Sequence, residues 1–416
     1  MDAPPANALL RRFSELPAAR PLLERLTGAD GVYLVGGAVR DLLCGTRPLD
    51  LDLVVDGELA PIAGLLGTPD RVHDRFETVT VSLNGFTYDL ARSRRETYAH
   101  PGALPTVEPA GIEEDLERRD FTVNAMALGL AGESRGRLLQ APHGREDLAA
   151  HQLRVLHARS FIDDPTRLLR LARYAGRLGF GIEEATRRLA EVAATVRAPD
   201  TVSGPRLGTE LRLLAEQGDP VPGFLILAEL GIDAAIAPTL GIRSRDRADL
   251  ARRARALLPP DAEHADLVLA VAALDVPTPD LGGLLDRLAF PAARRQRIVA
   301  TATRARELAP RLGAAERPSQ IAAAVGAGPP ELVALAAALG AEDGVEGAEA
   351  AGRLWLGELR RVRLEIDGDD LIAAGVAPGP ALGAGLAAAR AAKLDGRADG
   401  PEAELAAALK AARAHG

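Results

Sequence analysis

Polar and apolar residues alternate over residues 49–55, LDLDLVV. A period of two is typical of a β-strand, in which successive side chains point to opposite faces of the sheet. Asp50 and Asp52 would therefore share one face, while the leucines are buried on the other. Acidic residues are poor strand formers and two close carboxylates repel each other, so this arrangement calls for a chemical explanation.

The wider pattern changes once along the chain. Residues 31–130 mix β-like runs such as GVYLVGG, TVTVSL and FTVNAMAL with short helical stretches, which indicates an α/β or α+β region. From about residue 149 onward, apolar residues recur at three- and four-residue spacing. This spacing predicts helices almost throughout the second part of the chain.

The composition limits the class of protein. A chain of 416 residues is long enough for about two to four domains, and its single cysteine excludes an internal disulfide and indicates a reducing compartment. We find no signal-peptide pattern and no apolar run of about 18 residues, so we expect a cytoplasmic protein that does not enter a membrane. The net charge of −8 argues against general coating of nucleic acid, although a local basic face could bind one.

The stretch VYLVGGAVRDLLCG, residues 32–45, places a predicted strand, two glycines and a predicted helix in succession. Gly36 and Gly37 would let backbone N–H groups approach a ligand, and the N-terminus of the helix that begins at Ala38 would favour a phosphate. Arg40, in the first turn of that helix, could reach the same phosphate. The alternative is a tight turn followed by a surface arginine.

The glycine turn and the acidic strand together indicate one kind of chemistry. A phosphate-binding turn beside two carboxylates on one face suits metal-dependent phosphoryl or nucleotidyl transfer. Mg²⁺ takes hard oxygen ligands from carboxylates and substrate phosphates, and it would neutralise the repulsion between Asp50 and Asp52. The alternative is an edge strand whose polar face lies in water.

Four motifs in order resemble those of a known family. LVGGAVRDLLCGTRPLDLDLVV is similar to the first signature of the class II CCA-adding tRNA nucleotidyltransferases and bacterial poly(A) polymerases, members of the polymerase β superfamily. EEDLERRDFTVNAMAL (113–128) resembles the second signature and PHGREDL (142–148) the hinge motif. LRVLHARSFIDDPTRLLRLARYAGRLGF (153–180) resembles the nucleotide-reading helix.

The resemblance implies an α+β protein. Its nucleotidyltransferase head, with a mixed sheet, would span residues 1–148. A helical neck similar to the RNA- and SrmB-binding domain would follow over 149–240, and a helical, tRNA-binding body and tail over 241–416. The chain departs from the family pattern at Asp163, where glutamate is usual, and in the hinge motif, where the family has a fuller DPxGG and this chain has Ala-Pro-His-Gly at 141–144, with one glycine fewer.

The resemblance also assigns roles to polar residues of the second signature. Arg119 would hold the triphosphate or the ribose, Asp120 would accept the ribose hydroxyls, and Asn124 would orient the sugar. In isolation, Arg119 and Asp120 would be interpreted as a surface pair, and Asn124 equally suits a buried amide that satisfies backbone groups.

In DDPTRLLR, the resemblance implies that Asp164 and Arg167 read the bases of CTP and ATP, so that the protein selects the nucleotide without a nucleic-acid template. Arg170 lies on the same predicted helical face and joins them as a nucleotide-binding candidate. The alternative is a capped amphipathic helix with a solvated basic face. Helix capping would compete with base reading for the Asp164 oxygens, which makes Asp163 an alternative cap.

The resemblance implies that Asp89 is the third acid of the superfamily, placed on a neighbouring strand as a base toward the 3′-hydroxyl or as a metal ligand. A salt bridge to Arg92 or Arg94 is the alternative. Residues 92–111 form a long polar connection between predicted elements. The resemblance implies a flexible loop there that helps the enzyme switch between C and A addition.

The implied function is the addition of C and A from CTP and ATP to the tRNA 3′ end, with Mg²⁺ at Asp50 and Asp52. The tRNA backbone would be held by arginines of the helical half, such as Arg252, Arg253, Arg294 and Arg295. The alternatives are a partial A-adding or CC-adding enzyme, a poly(A) polymerase, or a catalytically silent nucleotide- or RNA-binding module. The sequence leaves the oligomeric state open.

Overall fold

The structure, a computed structural model, describes residues 6–48, 50–73 and 77–415. Every strand among these residues lies before residue 183, and the chain beyond it is helical. The predicted α+β class, with a sheet-containing first part and a helical remainder, is therefore confirmed.

Contacts between residues divide the chain into two compact units. The first comprises the residues up to Glu210 together with Glu229–Ile236, and the second comprises Leu211–Ala228 with the residues from Ala237 onward. The finer boundaries at residues 148 and 240 stay predictions.

The strands of the first unit are short. They are β1 (Val32–Val35), β2 (Asp52–Val55), β3 (Pro69–His73), β4 (Thr78–Leu83), β5 (Phe86–Arg92), β6 (Arg94–Thr97), β7 (Thr106–Pro109), β8 (Met126–Gly129), β9 (Leu138–Gln140), β10 (Gln152–Leu153) and β11 (Gly181–Ile182). Seven of them form one mixed sheet in the order β3-β4-β5-β2-β1-β8-β9. Only β2 and β5 pair in parallel within this sheet, and their register sets Asp52 opposite Asp89.

Helices flank the sheet and continue into the second unit. Those that begin before residue 237 are α1 (Ala6–Ser14), α2 (Ala19–Arg25), α3 (Gly37–Leu43), α4 (Leu59–Leu66), α5 (Ile112–Glu117), α6 (Gly144–Ala149), α7 (Ser160–Asp163), α8 (Thr166–Leu178), α9 (Glu184–Thr195), α10 (Gly204–Ala215), α11 (Val221–Glu229) and α12 (Ile232–Ile236). The remaining helices are α13 (Arg245–Leu257), α14 (His264–Ala272), α15 (Thr278–Arg287), α16 (Ala292–Gly313), α17 (Pro318–Val325), α18 (Pro330–Glu342), α19 (Ala348–Gly357), α20 (Gly368–Ala373), α21 (Pro380–Leu394) and α22 (Gly400–His415).

The acidic strand is shorter than its alternating sequence predicts. Strand β2 begins at Asp52, Asp50 precedes it, and Leu49 lies outside the described residues. Leu51 and Leu53 are buried, as expected. Val54, on the face that Asp52 shares, is also buried because helix α5 covers that face of the sheet.

Helix α5 packs on the sheet through an apolar cluster. Its Ile112 and Leu116 contact a group that includes Tyr33, Val54 and Ala127, all of them buried. Full burial of a large apolar side chain contributes about 1.5–3 kcal/mol. This packing fixes the orientation of the helix and of the polar residues on its other faces.

The connection predicted as a long loop over 92–111 is instead a β-hairpin. Strands β6 and β7 pair antiparallel, with Arg94 opposite Pro109 and Thr97 opposite Thr106. The tip is tied down as well, since Gly102 N donates to the Asp163 carbonyl oxygen at 3.2 Å. Backbone hydrogen bonds between the two strands therefore order this segment, although its polar composition is typical of a loop.

The hinge motif carries an unusual conformation. His143 adopts φ +69°, in the left-handed region that glycine enters without steric cost. The hinge motif, which has one glycine fewer than the family pattern, therefore has a histidine where glycine would suit the backbone best.

Among the described residues, no single helix is long and apolar enough to span a membrane. One pair, Pro318–Val325 and Pro330–Glu342, passes that test together by length and composition, with a bend of 111° between the two helices.

Candidate active site

The first unit contains an open cavity of about 390 Å³ whose walls come from the β1–α3 turn, the start of β2, the β6–β7 hairpin and helix α8. It gathers most of the residues predicted from the motifs. The predicted residues that line it are Gly36, Gly37, Asp52, Arg119, Asp120, Asn124, Asp164, Arg167 and Arg170.

The glycine turn leaves room at the cavity wall. Gly36 has φ +69°, and a Cβ added to it would lie 3.1 Å from Nη1 of Arg119. A Cβ on Gly37 would lie 3.3 Å from Nη2 of Arg40. Glycine is therefore needed at Gly36 for its backbone conformation and for the close approach of the Arg119 guanidinium.

Arg40 is not among the residues that line the cavity, and its contact with a phosphate stays a prediction. It is 1% exposed, so the alternative of a surface arginine is wrong. Its Nη1 donates to Oδ1 of Asn124 at 2.6 Å, and its Nε and Nη2 donate to Asp41. Arg40 thus holds the Asn124 amide from behind the cavity wall.

Three carboxylates lie near the start of β2. The pKa of Asp52 is raised by partial burial of its carboxyl group, by the nearby negative charge of Asp89 and, less strongly, by that of Asp50. The residue as a whole is still exposed to solvent. Asp89 accepts a hydrogen bond from the Thr80 hydroxyl at 2.6 Å. Among the described residues no ion pair joins Asp89 to either arginine considered for it, since Arg92 pairs with two glutamates and Arg94 pairs with Glu96.

These acids fit Mg²⁺ in kind, because carboxylate oxygens are its preferred ligands and a cation would relieve the repulsion that raises the Asp52 pKa. Within residues 6–48, 50–73 and 77–415, no group of three or more His, Cys, Asp or Glu side chains is arranged as a ready-made metal site. Substrate phosphates would therefore have to complete any coordination.

Asp120 is buried in a bonded cluster. Its Oδ1 accepts from the Phe121 backbone N–H and from Asn124 Nδ2, and its Oδ2 accepts from Nε and Nη2 of Arg170 at 2.9 and 2.6 Å. Burial opposes its ionisation, but Arg170 and the hydrogen bonds lower its pKa to about 2. Its acceptor positions are filled, so ribose hydroxyls could bind Asp120 only by displacing one of these donors.

The two oxygens of the Asp164 carboxylate differ in their hydrogen-bond partners. Oδ1 accepts from Thr166 N at 3.1 Å, from Thr166 Oγ1 at 2.6 Å and from Arg206 Nη2 at 2.8 Å. No donor among the described residues bonds to Oδ2. Asp163 instead pairs with Arg159, so Asp164 serves the helix start with one oxygen and keeps the other open to the cavity.

The basic face of α8 is buried over most of its length, so the alternative of a solvated basic face is wrong for that part. Arg167 and Arg173 are 6% and 8% exposed, whereas Arg177, near the end of the helix, is exposed. Arg167 donates to Ser160 Oγ and to the Arg118 carbonyl oxygen, and each terminal nitrogen keeps a second N–H. Four guanidiniums lie 4.8–5.7 Å from the ring centroid of Tyr174, namely those of Arg40, Arg170, Arg173 and Arg177.

Several cavity residues were not predicted from the sequence. They are Glu96, Tyr98, Pro105, Arg118, Thr166, Tyr174 and Arg206. Arg118 and Thr166 directly adjoin predicted residues, so spacing along the motifs could have found them. Glu96 and Tyr98 belong to the unexpected hairpin, and Arg206 comes from α10, where no motif marks it.

Most of the second-unit arginines proposed for tRNA are ion-paired. Arg252 bonds Asp249, Arg295 bonds Asp286, and Arg294 bonds Glu216 and a second acid. Arg253 is exposed and makes no such pair among the described residues.

Comparison with known proteins supports the motifs. Residues 32–154 match the family model of the poly A polymerase head domain. A CC-adding tRNA nucleotidyltransferase of Deinococcus radiodurans is 38% identical over 275 residues, which are 64% of this chain and 70% of that protein. The chain belongs to the class II tRNA nucleotidyltransferase family.

Other tRNA nucleotidyltransferases extend the likeness. An A-adding tRNA nucleotidyltransferase of Halalkalibacterium halodurans is 42% identical over 235 residues, 55% of this chain and 53% of that relative, so the match spans about half of the relative's length. A solved CCA-adding enzyme in an apo form is 30% identical with a TM-score of 0.81, covering 99% of this chain and 100% of that one.

Proposed function

We propose that this tRNA nucleotidyltransferase adds C and A from CTP and ATP to the tRNA 3′ end without a nucleic-acid template. The observation that carries the proposal is the open Oδ2 of Asp164 beside Arg167 in a cavity that also contains Asp52. A base-reading pair and an acidic residue thus line the same space.

The reaction is an in-line attack of the terminal 3′-hydroxyl on the α-phosphate of the nucleotide, with pyrophosphate as leaving group. Asp50 and Asp52 would hold Mg²⁺, which stabilises the charge on the transferring phosphate when bound. Asp89, opposite Asp52 in the sheet, either takes the proton of the hydroxyl or supplies a further oxygen ligand. Arg119, beside the glycine turn, binds the triphosphate.

Base choice follows from hydrogen-bonding groups. The free Asp164 oxygen accepts from an exocyclic amine, which cytosine and adenine have and uracil and guanine lack at the corresponding position. The remaining N–H groups of Arg167 donate to ring acceptors. Asp120 and Asn124, which line the same cavity, are proposed to contact the ribose once Arg170 gives up one of its hydrogen bonds to Asp120.

A-only addition is the second candidate, because the A-adding relative is 42% identical to this chain. CC-only addition and poly(A) synthesis follow as further alternatives. The acids near β2 and the open Asp164 oxygen argue against a catalytically silent binding module. We propose a cytoplasmic location, since tRNA is the substrate.

The test supplies the protein with Mg²⁺, each labelled nucleotide and tRNA transcripts that end at the discriminator base, after one C and after two. We expect C to be added to the first two ends and A to the third, and we expect EDTA to stop both additions. Addition only of A would establish the A-adding alternative. Absence of any transfer by a folded protein that binds ATP would establish the silent module.

A further inference from the structure

Asp115 lies behind the cavity, on α5. Its side chain is fully buried, and it is not among the residues that line the cavity. Two cavity arginines nevertheless converge on it. Oδ1 accepts from Nε and Nη2 of Arg118 at 3.0 and 2.6 Å, and Oδ2 accepts from Nε and Nη2 of Arg119 at 3.3 and 2.9 Å.

This double fork follows from the geometry of α5. The helix ends at Glu117, and Arg118 and Arg119 follow directly, three and four positions after Asp115, so both can reach back to its carboxylate. The apolar residues Ile112 and Leu116 anchor the helix in the core and thereby keep the carboxylate inside. The backbone N–H of Arg94 also donates to Oδ1, at 3.4 Å.

An isolated buried carboxylate is costly, and two guanidiniums compensate the cost. Burial opposes ionisation of Asp115, but Arg119 and Arg118 outweigh it and hold its pKa below the ordinary value. The site is therefore built to keep a negative charge at a point that solvent does not reach.

Arg118 and Arg119 differ in which of their side-chain nitrogens already donate a hydrogen bond. Arg118 uses Nη1 on Glu96 at 2.8 Å. Arg119 uses only Nε and Nη2 on Asp115, and its Nη1 lies against the Gly36 turn, 3.1 Å from where a Cβ would be. Arg119 thus presents to the cavity a nitrogen, Nη1, that bonds to none of the residues the structure describes, in an orientation that Asp115 sets.

We propose that Asp115 is a positioning residue for nucleotide binding: it fixes the Arg119 fork so that Nη1 faces the triphosphate at the glycine turn. The inference rests on the proposed function. It requires that loss of the Asp115 charge weakens the binding of CTP and of ATP equally. Arg119 contacts the triphosphate, which both nucleotides share, and not the base.

The experiment compares Asp115→Asn with the unchanged protein. We expect the KM for ATP and for CTP to rise about tenfold, kcat to change less than threefold, and rejection of UTP and GTP to be unchanged. Equilibrium binding of ATP should weaken by the same factor as KM rises. Asp115→Glu, which keeps the charge, should recover part of the affinity and serves as the test if the Asn variant does not fold.

Two further variants separate positioning from general stability. On an Arg119→Ala background, Asp115→Asn should add less than a twofold loss, because the residue that it orients is gone. Asp266→Asn is the matched control: Asp266 is also fully buried and bonds two arginines, Arg294 and Arg297, but it lies in the second unit. It should leave the KM for ATP within twofold of normal.

A folded Asp115→Asn protein with unchanged ATP affinity would overturn the inference, and so would additive losses in the double variant. If only Asp115→Glu folds, unchanged ATP affinity in that variant would overturn it as well, because the longer side chain moves the carboxylate that sets the Arg119 fork. If the unchanged protein binds ATP but transfers no nucleotide, the proposed function fails instead, and the ATP affinities still decide the role of Asp115.

Discussion

Arg206 donates a hydrogen bond of 2.8 Å from Nη2 to Oδ1 of Asp164, while its Nη1 donates to the Gly102 carbonyl oxygen at 3.0 Å. One guanidinium therefore joins the β6–β7 hairpin to the carboxylate at the start of α8. Because Arg206 and Thr166 occupy the same oxygen of Asp164, the other oxygen faces the cavity in one orientation.

Replacing Arg206 should loosen base selection. In Arg206→Met, the Asp164 carboxylate loses its charged partner and can rotate, so we expect misincorporation of UTP and GTP to rise several-fold. The lost pair should also lower the free energy of unfolding by about 1–3 kcal/mol. Arg187→Met is the control, since Arg187 pairs with Glu229 outside the cavity, and it should leave nucleotide selection unchanged.

Asp164→Asn should redirect nucleotide choice. All three donors lie on the Oδ1 side, so the amide oxygen must take that place and the NH₂ group the place of Oδ2. A donor would then meet the amine of C or A and instead suit the carbonyl of U or G, which shifts preference by about 1–3 kcal/mol. Single-nucleotide transfer with each NTP measures this shift, and equal losses for all four would leave Asp164 with a capping role only.

Removing the acids near β2 should stop the chemistry and spare nucleotide binding. Asp50→Asn and Asp52→Asn should each lower transfer of both C and A by at least 100-fold, while ATP affinity without metal changes little or rises because a repulsive charge is gone. Asp70→Asn, an exposed acid on edge strand β3, should retain full transfer. Near-normal transfer by either variant would exclude these acids as metal ligands.

Acid should weaken the protein through Asp120. Its pKa falls from the ordinary 3.8 to about 2 on folding, so its contribution to stability is complete above pH 3.8 and disappears as the pH falls through 2. We expect the stability difference between the unchanged protein and Asp120→Asn to shrink by about 1 kcal/mol between pH 6 and pH 3. Urea unfolding at both pH values measures this difference, and a constant difference would contradict the assigned shift.

Binding of tRNA should depend steeply on salt despite the net charge of −8. Log affinity should fall linearly with log KCl, by about 0.7 to 0.9 for each phosphate neutralised. If the exposed Arg253 contacts a phosphate of the tRNA backbone, Arg253→Gln should reduce the slope of log affinity against log KCl by about the amount for one phosphate. Asp286 already balances the charge of Arg295, so Arg295→Gln should change this slope less. Equal slopes in the unchanged protein and in both variants would mean that the RNA does not contact Arg253.

Local patterns were sufficient to predict much of the molecule. The alternation around Asp52 predicted a strand with its leucines buried, and the glycine pair predicted the turn into α3. Both depend on a backbone period or a conformational preference that acts within a few residues. Arg119, Asp120 and Asn124, which line one cavity, were instead predicted from the resemblance of the second signature to a known family.

The sequence by itself therefore determined the class of fold and most of the cavity's residues, whereas the tertiary structure decided which partner each charged group takes. Arg40 bonds Asn124 across 84 positions and Arg206 bonds Asp164 across 42. A guanidinium can pair with any carboxylate or amide within reach, and no period along the chain records which one. Only the packing of α5, α8 and the hairpin brings these groups together, and it leaves one oxygen of Asp164 and one nitrogen of Arg119 without a partner in the part of the chain that the structure describes.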